Sequence, residues 1–189
     1  MNVSFSTRGW QQIPWEQQVQ MAETMRFGGV ELYNVHKTPE LTGRGGPLHR
    51  YTAAATAREL WQKGLYIPCF DTACDIAGED CTETVTALMQ LAHDVQCPYV
   101  SVTAQRGDDA RISAALEALL PAAEAQGITI LLKTSGVFSD TARLRTLLDA
   151  FACDQLGALW DMHHPYRYAG ESARQTVENL GSYIKYVHV

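Results

Sequence analysis

Apolar and polar residues alternate along the chain between two patterns, one typical of strands and one typical of helices. Short runs in which nearly every residue is apolar, such as 128–134 (ITILLKT), have the length of buried strands. Longer segments, such as 108–126, are rich in Ala and Leu and repeat apolar residues at helical spacing. Strand-like runs alternate with helix-like segments along the whole chain, which indicates an α/β protein.

The predicted elements are seven strands and six helices. The strands cover 3–6, 29–34, 65–71, 99–104, 128–134, 156–164 and 184–189. The helices cover 15–27, 52–63, 83–95, 108–126, 139–152 and 172–180, with Ser139 or Asp140 as the N-cap of the fifth. The glycines and prolines of 36–48 predict a long surface loop. Continuous apolar strands separated by helices predict a parallel sheet covered on its faces.

Two observations favour a barrel over a doubly wound sheet. Neither G-x-G-x-x-G nor G-x-x-x-x-G-K-[ST] follows any predicted strand. Polar residues instead follow the carboxyl ends of several strands, and these ends share one face of a (β/α)8 barrel. The residues are His36, Asp71, Gln105, Arg106, Lys133, Asp161, His164 and His188. We therefore predict a single domain over 1–189 of the (β/α)8 TIM-barrel type, incomplete at the C-terminus after about seven strands.

Composition narrows the class of protein. The chain is 46% hydrophobic and 19% charged, which is enough for a packed core, and its net charge of -6 argues against nucleic acid or an anionic membrane as a partner. No apolar run approaches the roughly 20 residues that span a bilayer. Five cysteines without a C-x-x-C pair indicate reduced thiols. We expect a cytoplasmic location.

Several segments, taken in order, resemble the xylose isomerase-like TIM-barrel family. They are STRGW, FGGVELYNVH, SGVFSDT, GALWDMHHPYR and the terminal YVHV. The family includes sugar isomerases, sugar 3-epimerases, inosose dehydratases and apurinic endonucleases. The resemblance covers essentially the whole chain. Its more specific marks are the D-x-x-H of Asp161 and His164 and the histidine of strand seven, His188.

This resemblance implies a divalent metal (Mn, Mg, Co or Zn) at the mouth of the barrel. In the isomerase and epimerase branch its ligands are a Glu after strand five, an Asp after strand six, a His in strand seven and a Glu after strand eight. Asp161 and His188 match the middle two, and His164 matches a neighbouring His that binds substrate or metal. Such a metal polarises a substrate oxygen while carboxylates move a proton at the adjacent carbon.

The sequence departs from that pattern at two points. Lys133 stands where the strand-five Glu is expected, and no eighth strand or second Glu follows within the 189 residues. An ammonium at this place repels a dication, so the metal is an expectation that Lys133 opposes. We predict that Lys133 occupies the metal's space and pairs with Asp161. Lys133 is also a weaker candidate for a catalytic base or Schiff-base residue.

Two functions follow. The first is a sugar or cyclitol isomerase or epimerase, with Lys133 and His164 as catalytic candidates and Asp161, His164 and His188 as metal ligands. Residues that could bind its substrate are His36, Asp71, Arg106 and Arg167. The alternative is a catalytically impaired barrel that binds a ligand or a partner. The absent eighth strand leaves three expectations open: a longer natural protein, an adapted strand order, or a homodimer that pairs the open edges.

Overall fold

The computed structural model of the protein describes residues 2–189. Its strands are β1 (Ser4–Ser6), β2 (Gly29–Tyr33), β3 (Cys69–Asp75), β4 (Tyr99–Thr103), β5 (Thr129–Lys133), β6 (Leu156–Asp161) and β7 (Ile184–His188). Its α-helices are α1 (Trp15–Thr24), α2 (Pro39–Thr42), α3 (Ala53–Gln62), α4 (Cys81–Asp94), α5 (Asp109–Gln126), α6 (Thr141–Phe151) and α7 (Ala173–Leu180). The strands follow one another in sequence order, β1 to β7. This is the alternating, parallel α/β pattern that the sequence predicts.

The chain groups into two units, which are described separately. The first contains the residues up to Thr72 together with Ala87–Val100, and the second contains Ala73–Thr86 together with Ser101–Val189. Among the described residues, no helix is long and apolar enough to cross a membrane.

In the first unit, β2 lies between β1 and β3 and pairs with both in parallel. Tyr33 lies opposite Asp71, so the carboxyl end of β2 is level with the middle of β3. Val30, Leu32 and Phe70 are fully buried on these strands, as a continuous apolar run requires.

In the second unit, β6 lies between β5 and β7 and again pairs in parallel. The register brings Asp161 opposite His188 and Lys133 opposite Leu159, so Asp161 and His188 are level and Lys133 lies two residues before them. The side chain of Asp140 caps α6 by accepting hydrogen bonds from the N–H groups of Ala142 and Arg143. Asp140 is one of the two residues predicted as this N-cap.

Two local predictions were wrong. The third strand was expected over 65–71 but is formed by Cys69–Asp75, because Pro68 has no N–H to donate to a ladder just before it. Segment 36–48 is not a plain surface loop. It contains α2 and ends on the fully buried Leu48, because Pro39 starts a short helix and two leucines supply apolar anchors.

Candidate functional site

A buried ion pair lies at the carboxyl ends of β5 and β6. Lys133 and Asp161 are the last residues of their strands, and Nζ of Lys133 is 3.5 Å from Oδ2 of Asp161. Lys133 is 5% exposed and Asp161 8% exposed. The predicted pairing of Lys133 with Asp161 is therefore confirmed. A buried pair of this kind satisfies two charges that would each be costly alone.

Thr134 fixes the backbone of Asp161. The N–H of Asp161 donates to Oγ1 of Thr134 at 2.9 Å, and the Thr134 hydroxyl donates to the carbonyl of Asp161 at 3.2 Å. The N–H of His163 donates to Oδ1 of Asp161 at 3.2 Å, which leaves Oδ2 facing Lys133. Both carboxylate oxygens of Asp161 are therefore engaged.

His164 is the accessible member of this group. Its Nε2 lies 3.8 Å from Oδ2 of Asp161, and the residue is half-buried. Its ring is 5.3 Å from the ring of Tyr168, and the guanidinium of Arg167 lies over Tyr168 at 5.8 Å. Tyr168 and Arg167 belong to a π-helical turn, Pro165–Ala169, a distortion often found at functional sites.

His164 also lines a cavity of about 500 Å³. The lining comes from the segments after β4, β5 and β6: Gln105, Gly136, Val137, Ser139, His164 and Tyr168. The predicted residue Arg106 is exposed and directly follows Gln105. The cavity thus has the size of a small-molecule site and an imidazole in its wall.

His188 takes the neighbouring position on β7. It lies opposite Asp161, and its carbonyl accepts a hydrogen bond of 3.0 Å from the N–H of Met162. Its ring is 5.6 Å from that of Tyr186. The structure therefore brings together four of the predicted residues, Lys133, Asp161, His164 and His188, at adjacent strand ends of the second unit.

In the first unit, a pair of buried acidic residues lies on β2 and β3. A carboxylate oxygen of Glu31 and one of Asp71 lie within 4.8 Å of each other, and the residues are 1% and 2% exposed. Asp71 was predicted as a site residue, but Glu31 was missed. The available signal was a lone acidic residue inside the apolar run of β2, which has no reason to be buried unless it has a polar role.

His36 follows β2 in a short 3₁₀ turn and is half-buried. Burial lowers the pKa of His36, the charge of Lys37 lowers it further, and a backbone hydrogen bond involving Thr72 opposes the change. His36 is therefore biased towards its neutral form.

The buried cysteines Cys81 and Cys97 are not nucleophiles. Burial raises the pKa of Cys81 to about 12, with the nearby Cys74 and Asp75 adding to the effect. Burial likewise raises the pKa of Cys97 to about 12. Thiolates are the reactive form of cysteine, so neither residue is activated.

Two sets of side chains are candidate ligands of a metal ion. Asp161, His164 and His188 offer one carboxylate and two imidazoles, but the ammonium of Lys133 already neutralises Asp161 at 3.5 Å. A dication does not fit this set while Lys133 is in place. Glu31 and Asp71 offer carboxylate oxygens, the donors that hard divalent ions prefer, and suit such an ion better.

Residues 19–189 match the family described as xylose isomerase-like TIM barrel. No curated protein sequence matches the chain. Solved structures show the same fold at low sequence identity. D-psicose 3-epimerase, determined in the presence of D-fructose, has a TM-score of 0.78 and 11% identity, over 100% of this chain and 72% of its own.

Two further structures extend this comparison. D-allulose 3-epimerase from Methylomonas sp., in complex with D-allulose, has a TM-score of 0.76 and 15% identity, over 100% of this chain and 71% of its own. The IOLI protein with a bound zinc atom has a TM-score of 0.68 and 13% identity, over 95% of this chain and 67% of its own. The predicted TIM-barrel type is therefore confirmed, with seven strands in the described residues.

Proposed function

Because the chain belongs to the xylose isomerase-like TIM-barrel family, we propose that it isomerises or epimerises a small sugar or cyclitol by moving a proton. The observation that carries the proposal is His164, an imidazole in the wall of a cavity of about 500 Å³ and 3.8 Å from the Asp161 carboxylate. Imidazole titrates near neutral pH and is the commonest side chain for general acid and base catalysis.

In this mechanism His164 removes the proton from the carbon next to a substrate carbonyl. Returning that proton to the neighbouring carbon on the same face gives the isomer. The epimer forms when a water molecule delivers a proton to the opposite face of the first carbon and His164 releases its own proton to solvent. Asp161 orients the imidazole, and Lys133 holds Asp161 in place through the ion pair of 3.5 Å. Tyr168, whose ring is 5.3 Å from that of His164, offers a flat face to the sugar.

The metal expected from the family has a limited place in this proposal. Glu31 and Asp71 would hold a divalent ion through their carboxylate oxygens. Such an ion supplies Lewis-acid polarisation of a substrate oxygen when it is bound. The catalytic steps assigned here rest on His164, Asp161 and Lys133 alone.

The test is conversion of D-fructose, D-allulose and myo-inositol-derived ketones by the purified protein, followed by chromatography. We expect His164→Ala to lower kcat by about a hundredfold or more, the usual value of one positioned acid–base group. His93→Ala is the control, because His93 is exposed near the end of α4 and lies outside the cavity lining. Equal rates in His164→Ala and wild-type protein would contradict the assignment.

A second candidate function is a barrel that binds a sugar without converting it. The specific observation in its favour is the buried Lys133–Asp161 pair, which puts a cation where the family places an acidic ligand. Sugar binding without turnover supports this candidate. Lys133→Glu separates the two: gain of metal binding together with turnover, absent in Lys133→Met, indicates a barrel that lost its activity through this residue.

A further inference from the structure

A groove of about 320 Å³ lies on the surface of the first unit, between α3 and the end of α4. It shares no residue with the cavity beside His164. Four of the lining residues come from one face of α3 and two from the end of α4 or just after it: Ala54, Ala57, Arg58, Trp61, Asp94 and Gln96. We call this feature the α3 groove.

Aromatic side chains are exposed along the same face of α3. Trp61 is 79% exposed, and Tyr51, which lies three residues before Ala54, is 76% exposed. Helical hydrogen bonding starts just before α3, since the N–H of Ala53 donates to the carbonyl of His49 at 2.9 Å. Positions 51, 54, 58 and 61 are therefore three or four residues apart on one helical face. Exposed aromatic residues gathered on one face indicate a surface that contacts another protein.

The α3 groove is complementary in shape to a second copy of itself. In an antiparallel pair of α3 helices with a two-fold axis between positions 57 and 58, each residue faces the residue equally far beyond the axis. Trp61 then faces Ala54 of the second copy, and Arg58 faces Ala57. Each bulky side chain meets a methyl group, as the interlocking of two helices requires.

The same symmetry accommodates Tyr51. Its position faces Gly64 of the second copy, where nothing lies within 4 Å of the position of a Cβ. The glycine thus leaves room for the ring. Each of the three large residues of the stripe therefore faces a small one.

The charges are complementary in the same arrangement. Arg58 is exposed and forms no hydrogen bond or ion pair within residues 2–189. Asp94 lines the groove from α4 and accepts a hydrogen bond of 3.1 Å from the neutral amide of Gln90, which leaves its charge unbalanced. A two-fold pair brings Arg58 of each copy towards Asp94 of the other, because every contact of such an interface occurs twice. A strongly acidic or basic partner would match one of these charges and repel the other.

The available apolar area also suits a dimer. Trp61 and Tyr51 are each more than three-quarters exposed, and together they contribute about 300 Å² from each copy, given the 150–250 Å² that an aromatic side chain buries. This is more than a third of the roughly 800 Å² that each partner buries in a standard interface.

We propose that the α3 groove is the interface of a homodimer, formed by antiparallel α3 helices with Trp61 of each copy seated against Ala54 of the other. This interface is separate from the pairing of sheet edges that the sequence left open. It does not depend on the function proposed for His164.

Light scattering after gel filtration measures the mass of the full chain in solution. We expect a species of twice the 20.9 kDa of one chain, which dissociates on dilution. A wild-type protein that stays monomeric up to its solubility limit would overturn the proposal.

Trp61→Glu places a charge against Ala54 of the second copy. It should weaken dimerisation by about a hundredfold or more, because an aromatic anchor is lost and a charge is buried in its place. The control is Ala118→Glu, which adds the same charge at an exposed position of α5 in the second unit and should dimerise like wild type. A Trp61→Glu variant that dimerises as tightly as wild type would show that the copies meet elsewhere, and would reject the interface.

Charge reversal gives a test that a folding defect cannot imitate. Arg58→Asp alone sets carboxylates against carboxylates across the interface, and Asp94→Arg alone sets guanidinium groups against each other. Each variant should dimerise about tenfold or more weakly than wild type, because like charges across an interface are unfavourable. An equimolar mixture of the two variants should recover dimerisation, since both charge pairs are then opposite in sign. No recovery in the mixture of the two folded variants would overturn the proposal.

Discussion

Two regions of the molecule bury carboxylates on their strands, one beside a lysine ammonium and one with two carboxylates close together. Asp161, on β6, has the ammonium of Lys133 at 3.5 Å and the N–H of His163 at 3.2 Å. Glu31 and Asp71, on β2 and β3, have carboxylate oxygens within 4.8 Å of each other. Whatever other contacts they make, two buried carboxylates at this separation repel each other, whereas Asp161 is neutralised by its neighbour.

The two regions therefore differ in how readily they can bind an additional cation. At the end of β5 and β6 the protein supplies its own cation, so an added ion must displace a buried lysine. At Glu31 and Asp71 two carboxylates offer oxygen donors to an added cation. The two regions therefore have different expected responses to mutation, to metal ions and to pH.

The largest effect is expected from breaking the ion pair. Lys133→Met leaves Asp161 buried without its cation, and we expect it to lower the free energy of unfolding by about 3–5 kcal/mol at pH 7. Urea unfolding measures this loss. Lys133→Met combined with Asp161→Asn should recover most of it, because no charge is then left unpaired. A Lys133→Met variant as stable as wild type would show that the pair does not hold this region together.

The next largest effect is expected at Gly136, whose backbone forms part of the cavity beside His164. Gly136 has a φ of 61°, and a Cβ there would collide with the carbonyl of Ala104. That carbonyl already accepts a hydrogen bond of 2.9 Å from the N–H of Val137. Gly136→Ala should therefore cost more than about 3 kcal/mol, from the left-handed backbone and the clash together.

Gly170 provides the control for this prediction. Its φ is 69°, but nothing lies within 4 Å of the position of a Cβ. Gly170→Ala should cost only about 1 kcal/mol, the strain of the backbone alone. Thermal unfolding of both variants measures the difference. Similar losses in the two would show that the segment after β5 moves aside readily.

The sequence supported the fold and one half of this comparison. Alternating strand and helix periodicities predict the parallel sheet, and the D-x-x-H of Asp161 and His164 marks the end of β6. The Lys133–Asp161 pair was predicted because the family resemblance places Lys133 at the position of a ligand beside Asp161, on the strand next to it. A charge difference between two strands is visible in the sequence once the strands are known to be neighbours.

The other half could not be predicted, and the reasons are physical. Glu31 lies within a strand instead of at its end, and its nearness to Asp71 depends on the register of β2 on β3, which apolar periodicity alone does not set. His188 was identified through the resemblance of the terminal YVHV to the family and not through apolar periodicity, since β7 also contains Lys185.

Metal addition gives an effect of intermediate size. We expect Mn²⁺ to stabilise the wild-type protein by about 2–3 kcal/mol at a hundredfold excess over its dissociation constant. Asp71→Asn should abolish the rise in melting temperature, and Asp161→Asn should preserve it. Differential scanning fluorimetry measures both. If the rise in melting temperature were lost only in Asp161→Asn, the ion would bind beside Lys133. The two regions would then not differ in the way described above.

The smallest effect concerns His36, which follows β2 close to Asp71 in the first unit. Burial lowers its pKa from the model-compound value of 6.5, so the folded protein binds fewer protons at this residue than the unfolded chain in the window below that value. The contribution of His36 to the unfolding free energy is therefore complete above pH 6.5 and is lost as the pH falls.

Replacing His36 by Asn isolates this contribution, since Asn has a similar polarity and does not titrate. On going from pH 7.5 to pH 5.5, the wild-type protein should lose more stability in urea unfolding than His36→Asn does. A larger loss in His36→Asn would mean that His36 is protonated in the folded protein at pH 5.5 and stabilised in that form. The first unit would then hold an imidazolium at acidic pH, and the contribution of His36 to stability would have the opposite sign from the one that its burial and Lys37 predict.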